Sequence, residues 1–100
     1  MRRLAFRARF RPLIRDGKKT QTIRLWRTPR FKPGDLCYER GVGVLEIVSV
    51  EPVELDDLTD EDAKREGFSS VAELLEEIRR IYPSTPEGMS FWRLKFRLVA

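Results

Sequence analysis

Histidine is absent from the 100-residue chain, and cysteine occurs once, at Cys37. Without histidine the commonest general base and zinc ligand is missing, so any proton transfer must use Lys, Glu, Asp or Tyr. A lone cysteine can neither close an internal disulfide nor join a thiolate cluster around a metal. No disulfide-linked partner, metal or other cofactor is therefore expected, and Cys37 reads as a small buried apolar side chain. Long hydrophobic runs are missing as well. The longest, Val42 to Ile47, is interrupted by Gly43 and Glu46, and roughly 18–20 apolar residues are needed to span a bilayer. The start, Met1-Arg2-Arg3-Leu4, lacks the apolar stretch of a secretion signal. These absences lead to the expectation of a cytoplasmic protein with no membrane partner.

Apolar residues make up 41% of the chain and charged residues 36%, enough to offset the entropy of ordering one core. A chain of this length has apolar surface for one core, so residues 1–100 are expected to form a single domain. The charge is unevenly distributed. Residues 1–40 carry thirteen Lys/Arg against Asp16, Asp35 and Glu39, a net +10; residues 41–90 carry four against thirteen Asp/Glu, a net −9; the last ten residues add +3. Two outcomes are open: a basic surface made by both ends of the chain, or opposite charges that pair with one another on folding.

Leu4-Ala5-Phe6 is expected as a short strand, followed by a short helix through Phe10, Leu13 and Ile14 that Gly17 ends. From Thr20 a strand follows, with Ile23 and Leu25 on one side and Thr20, Thr22, Arg24 and Trp26 on the other. Two hydroxyls, a guanidinium and an indole make a poor core, so that side faces water or lines a binding surface. Pro33-Gly34 marks a type II turn into a strand at Leu36 to Glu39. A long strand runs from Val42 to Glu54, with Pro52 confining it to an edge or an end. Thr59 and Asp62 are placed to cap a helix that Gly67 closes, and Ser70 and Glu73 open a second. In that second helix Val71, Leu74, Leu75, Ile78 and Ile81 form the buried stripe, while Glu76, Glu77, Arg79 and Arg80 face out. Finally Trp92, Leu94, Phe96 and Leu98 alternate with Arg93, Lys95 and Arg97, a half-buried strand with a basic outer ladder. This order suits an α+β fold, a small closed or partly closed β-barrel with helices at one side.

The segment Asp16-Gly17-Lys18-Lys19-Thr20-Gln21-Thr22-Ile23-Arg24, followed by Phe31-Lys32-Pro33-Gly34-Asp35, resembles the ASCH domain of the PUA-like superfamily. The helical segment from Leu58 to Phe68 and the ending Phe91 to Leu98 extend the resemblance in the same order. It implies a PUA-like barrel of about five or six strands with two or three short helices, and a cleft lined by the Gly-x-Lys-x-x-Thr-x-Arg segment that receives RNA or a nucleotide. One similar branch comprises small bacterial amidohydrolases that remove acetyl from N4-acetylcytidine; its cleft Lys, Thr and Glu fall on Lys19, Thr22 and Glu66. Other relatives bind nucleic acid or are nucleases, so the fold leaves the reaction open.

Amide hydrolysis needs a nucleophile, a base, an acid for the leaving amine and donors for the oxyanion. Thr22 offers the hydroxyl. Lys19 is the base if Lys18 and Arg24 lower its pKa by like-charge repulsion, and Glu66 is the acid. Lys18, Arg24, Trp26 and Arg27 are the expected ligand-binding residues, with Arg24 holding a phosphate or the oxyanion. Non-catalytic binding of RNA stands as the alternative, bases stacking on Trp26 while Arg24 and Arg27 hold the backbone; ribonuclease activity is a further one. Each residue also has a plainer role: Lys18-Lys19 as a solvated turn, Thr22 as an ordinary strand residue, Glu66 as a helix-end side chain in water, Trp26 as a plug at one end of the barrel. A different class of function is a scaffold whose acidic helical face, Glu73, Glu76 and Glu77, docks a basic partner.

Overall fold

Short apolar segments broken by Pro and Gly leave little room for long elements. The computed structural model, which describes residues 1–100, accordingly contains brief ones. A 3-10 turn (Ala8–Phe10) leads into α1 (Arg11–Arg15), followed by β1 (Gln21–Trp26), β2 (Leu36–Glu39) and β3 (Gly43–Pro52). A second 3-10 turn (Leu55–Asp57), α2 (Asp60–Glu66), α3 (Val71–Ile81) and β4 (Ser90–Leu98) complete the chain. The strands form one four-stranded antiparallel sheet in the order β1-β4-β3-β2. The fold is α+β, its sheet curled into a half-barrel with helices alongside. No helix is long and apolar enough to cross a membrane.

The sheet has four strands where five or six were expected, and the difference lies at the amino terminus. Leu4-Ala5-Phe6 forms no strand, because Ala5 adopts φ 63°, a left-handed conformation that ends an extended run. Its backbone is satisfied by other means. Arg24 on β1 donates to the carbonyls of Leu4 (2.6 Å) and Ala5 (2.8 Å), while on the β2 side the Tyr38 N–H donates to the Arg2 carbonyl (2.8 Å) and the Phe6 N–H to Glu39 Oε2 (3.2 Å). β1 and β2 are the two sheet edges, so this segment straps one edge to the other.

The apolar residues gather on both faces of the sheet, where one core was expected. Trp26, Cys37, Leu45, Ile47, Leu94 and Phe96 pack beneath the strap with Leu4, Phe10 and Ile14. Ile23, Leu25 and Phe91 pack on the other face against Leu58 and Ala63 of the α2 region and Leu74 and Ile78 of α3. Phe68 touches both groups. Strand parity decides the assignment: odd residues of β1 and β4 face the helices, even ones the strap. Pro52 closes the ladder of β3 as its last residue, and β3 lies inside the sheet. Along α3 two positions depart from the helical wheel: Glu77 is 5% exposed and Ile81 40%. Glu77 is buried because Arg9 and Arg80 both pair with it.

Candidate active site

α2 has seven residues, too few to hold helical form on propensity alone, and both ends are capped. At the start, Thr59 and Asp62 form a reciprocal capping box. At the end, Gly67 (φ 89°) permits a Schellman motif, with Gly67 N–H bonded to the Lys64 carbonyl and Phe68 N–H to that of Ala63. The last helical residue, Glu66, is thereby held at a defined height. The Thr20 N–H donates to the Arg65 carbonyl (2.8 Å), and the Thr20 carbonyl accepts from Phe96 N–H (3.0 Å), so the entry to β1 is tied to both α2 and β4. These bonds bring Lys19 beneath Glu66.

Lys19 Nζ donates to the Glu66 carbonyl at 3.0 Å and lies 3.3 Å from Glu66 Oε1, with both side chains 4% exposed. The ammonium therefore caps the carbonyl end of α2 and pairs with its terminal carboxylate, offsetting the conflict between Glu66 and the helix dipole. The Phe10 ring lies 4.6 Å from the Nζ and the Phe6 ring 5.9 Å, enclosing it in apolar surface. On the opposite side of the carboxylate, Gln21 Nε2 donates to Glu66 Oε2 (3.0 Å) and to Asp62 Oδ1 (3.1 Å). Thr22 Oγ1 accepts from Arg24 Nε at 3.0 Å. Lys19, Thr22, Arg24 and Glu66 line one cleft of about 170 Å³ walled by Phe6, Phe10, Phe68 and Tyr82.

Burial shifts both ionisable partners toward neutrality. It pushes the Lys19 ammonium below its ordinary range; Glu66 partly restores it, and Arg24 and Arg9 depress it further. It also pushes the Glu66 carboxyl up, against the opposing pull of Lys19 and Gln21. Lys19 is thus depressed mainly by desolvation, where like-charge repulsion from Lys18 and Arg24 was expected, and Lys18 takes no part. Arg24, by donating to Thr22 Oγ1, stabilises negative charge on that oxygen.

The remaining expected ligand residues do not meet at the cleft. Lys18 is exposed and borders a separate depression with Lys64 and Arg65. Trp26 is 8% exposed and packs on Phe31, ring centroids 6.1 Å apart, so it fills the core and offers no stacking face. Arg27 is exposed near the Glu87 carbonyl (3.5 Å). Arg24 is at the cleft, but three of its five N–H donors are engaged by Thr22, Leu4 and Ala5. Gln21, Phe10, Glu77 and Tyr82 were not foreseen. For Gln21 the signal was available: it shares a strand face with Ile23 and Leu25, and an amide among core residues needs polar partners.

The curled four-stranded sheet with its flanking helices has the fold of known ASCH domains, and a buried lysine–carboxylate contact and a hydroxyl line its cleft. The crystal structure of an ASCH domain from Lactobacillus crispatus JV V101 superimposes with a TM-score of 0.74 at 20% identity, covering 87% of this chain and 68% of that one. No family model matches the sequence. The chain is 38% identical over 102 residues to the N(4)-acetylcytidine amidohydrolase of Haemophilus influenzae strain PittEE, covering 96% of this chain and 94% of the relative. It is 38% identical over 92 residues to the enzyme of that name from Serratia proteamaculans strain 568, covering 86% and 89%. The chain belongs to the N(4)-acetylcytidine amidohydrolase family.

Proposed function

We propose that the protein hydrolyses N4-acetylcytidine to cytidine and acetate, with Thr22 as nucleophile, Lys19 as its base and Glu66 as the acid for the departing amine. The observation that carries this assignment is the buried Lys19–Glu66 contact in a cleft that Thr22 also lines. Neutral Lys19 takes the Thr22 hydroxyl proton as Oγ1 bonds to the acetyl carbonyl carbon, and the carbonyl electron pair moves onto oxygen. The two N–H groups of Arg24 left without a protein partner are the donors for that oxyanion. Collapse of the adduct breaks the C–N bond, and Glu66 gives its proton to the leaving nitrogen. Water then attacks acetyl-Thr22, passing a proton to the Glu66 carboxylate while Lys19 returns one to Oγ1. Acetic acid departs, and both side chains regain their starting forms.

The cleft suits a nucleoside. Its volume of about 170 Å³ is below the ~300 Å³ at which pockets for drug-sized ligands begin. In this reading the flat acetylated pyrimidine lies among the aromatic walls and its ribose at the mouth, beside exposed Arg7 and Ile81. Trp26, the base-stacking residue of the RNA-binding alternative, is buried, which supports a nucleoside over a single-stranded polymer as the ligand. The test is turnover of N4-acetylcytidine by the purified protein, followed as equimolar cytidine and acetate. Lys19→Ala and Thr22→Ala are expected to abolish turnover while remaining folded; turnover that persists in both rules out the assigned roles.

A further inference from the structure

We infer that Gln21 is a positioning residue which, clamped by Asp62, dictates which oxygen of Glu66 carries the transferable proton. The inference rests on Glu66 acting as the acid of the proposed hydrolysis. Gln21 is fully buried, and both hydrogens of its amide nitrogen are committed, one to Asp62 Oδ1 and one to Glu66 Oε2. Its own carbonyl oxygen is buried without a partner. An amide in that position would ordinarily turn over to satisfy its oxygen. Here the turned orientation would set that oxygen against the Asp62 carboxylate.

Asp62 holds its charge. Burial opposes ionisation, but the Thr59 N–H, Gln21 and Arg93 outweigh it and keep the carboxyl below its ordinary range. Thr59 N–H donates to Asp62 Oδ2 at 3.0 Å, and Arg93 Nε lies 3.3 Å from Oδ1. An ionised Asp62 keeps the NH₂ end of Gln21 facing the two carboxyl groups. Glu66 Oε2 therefore always meets a donor and has no room for a hydrogen of its own. The proton of neutral Glu66 sits on Oε1, the oxygen 3.3 Å from Lys19 Nζ. Proton exchange between acid and base is thus confined to one edge of the carboxyl.

The charged and titratable groups around this carboxyl come from every neighbouring element. Lys19 and Arg24 face it from the β1 region, Asp62 from its own helix, and Arg93 of β4 acts through Asp62. Glu77 and Tyr82 line the same cleft from the α3 side, and Arg9 of the 3-10 turn pairs with Glu77. Among these groups, Gln21 alone bonds to both carboxylates.

The test is the pH dependence of kcat for N4-acetylcytidine in the full chain carrying Gln21→Met, which keeps the side-chain shape and removes both donors. The Gln21 bond lowers the Glu66 pKa, so its loss raises that pKa. The alkaline limb of kcat, where the acid is deprotonated, should move to higher pH. kcat should fall about 10-fold or more, a part of the ~10²–10⁴-fold that a positioned general acid contributes, with KM changed by less than about twofold. A residue that merely filled space would leave the limb in place. Should Gln21→Met fail to fold, the exchange Gln21→Glu with Asp62→Asn preserves the 21–62 bond with its donor reversed and turns an acceptor toward Glu66 Oε2. The same upward limb and loss of kcat are expected from it. An unmoved limb with kcat kept by a folded variant, while Lys19→Ala is inactive, overturns the role of Gln21 alone. Absence of turnover in the wild-type protein overturns the hydrolase assignment and this inference with it.

Discussion

Lys19 and Glu66 are each unsuited to burial alone, since an isolated ion in a low-dielectric interior loses its hydration. Together they share a carboxyl edge and a helix end, and burial drives both toward their neutral forms. A general base without a charge and a general acid with its proton are what amide hydrolysis needs near neutrality. This arrangement sets the sign of a stability experiment. In Glu66→Gln, Lys19 loses the partner that raised its pKa. Between that lowered value and the ~10.4 of an unfolded lysine, the unfolded chain binds more protons, so stability rises with pH. Glu66→Gln should thus lose up to about 3–5 kcal/mol at neutral pH and recover part of it toward pH ~10 in denaturant titrations. The double variant Lys19→Met/Glu66→Gln should show no such pH dependence and match or exceed the wild type in stability. At this scale, a motif resemblance points to Lys19, Thr22 and Glu66, and the structure brings the three to one cleft. No such signal marks Glu77: helical periodicity puts it on the polar face, and only the fold reveals Arg9 arriving from 68 residues away.

Among the elements, α2 illustrates how local signals position Glu66, the proposed acid. Thr59, Asp62 and Gly67 announce both ends of the helix in the sequence, and the structure uses each as a cap. Leu4-Ala5-Phe6, by contrast, reads as a strand because its side chains suit one. Its actual path is set by distant residues, Arg24 and Glu39, which pairwise spacing within the segment cannot report. The missing strand and the corresponding shortfall in the sheet have this one cause. A substitution at the helix end separates support from chemistry. Gly67→Ala places a methyl group in a left-handed conformation, its carbon 2.9 Å from Leu13 Cδ1. It should destabilise the fold by more than about 1 kcal/mol. Displacement of Glu66 should also lower kcat, by up to about 100-fold for a shift near 1 Å. Thr59→Ala, at the far end of the same helix, should cost about 1 kcal/mol and leave kcat much closer to wild type. Thermal melts paired with steady-state kinetics distinguish the two.

Across the whole molecule, part of the charge division along the chain resolves into pairs. Arg9 meets Glu77, Lys19 meets Glu66, Arg93 meets Glu51 and Asp62, and Arg97 meets Glu46, each joining a basic segment to the acidic middle. The sequence left open whether those charges form a free basic surface or bind one another, because ion pairing depends on which strands become neighbours. The four-stranded order accounts for the pairs of β4, whose basic ladder lies between β1 and β3 and meets Glu46 and Glu51 of β3, while Arg7, Lys18, Arg27 and Arg30 stay exposed and bridge no carboxylate. One kinetic consequence follows. An uncharged nucleoside displaces no counterions from the protein or itself, so kcat/KM for N4-acetylcytidine should be nearly flat between 50 and 200 mM salt, where a polymer held by several phosphate contacts would lose about 10³–10⁵ in affinity.

The proton-donor role of Glu66 can be tested by changing the leaving group. N4-acetylcytidine and its 5-fluoro derivative, whose amine departs more readily, are compared in the wild-type protein and Glu66→Gln. The predicted result is a loss of about 10²–10⁴-fold in Glu66→Gln with the natural acetylated base and a distinctly smaller loss with the fluorinated one. Equal losses with both substrates, or undiminished turnover in folded Glu66→Gln, would contradict the assignment of the buried Lys19–Glu66 pair as the proton-transfer centre.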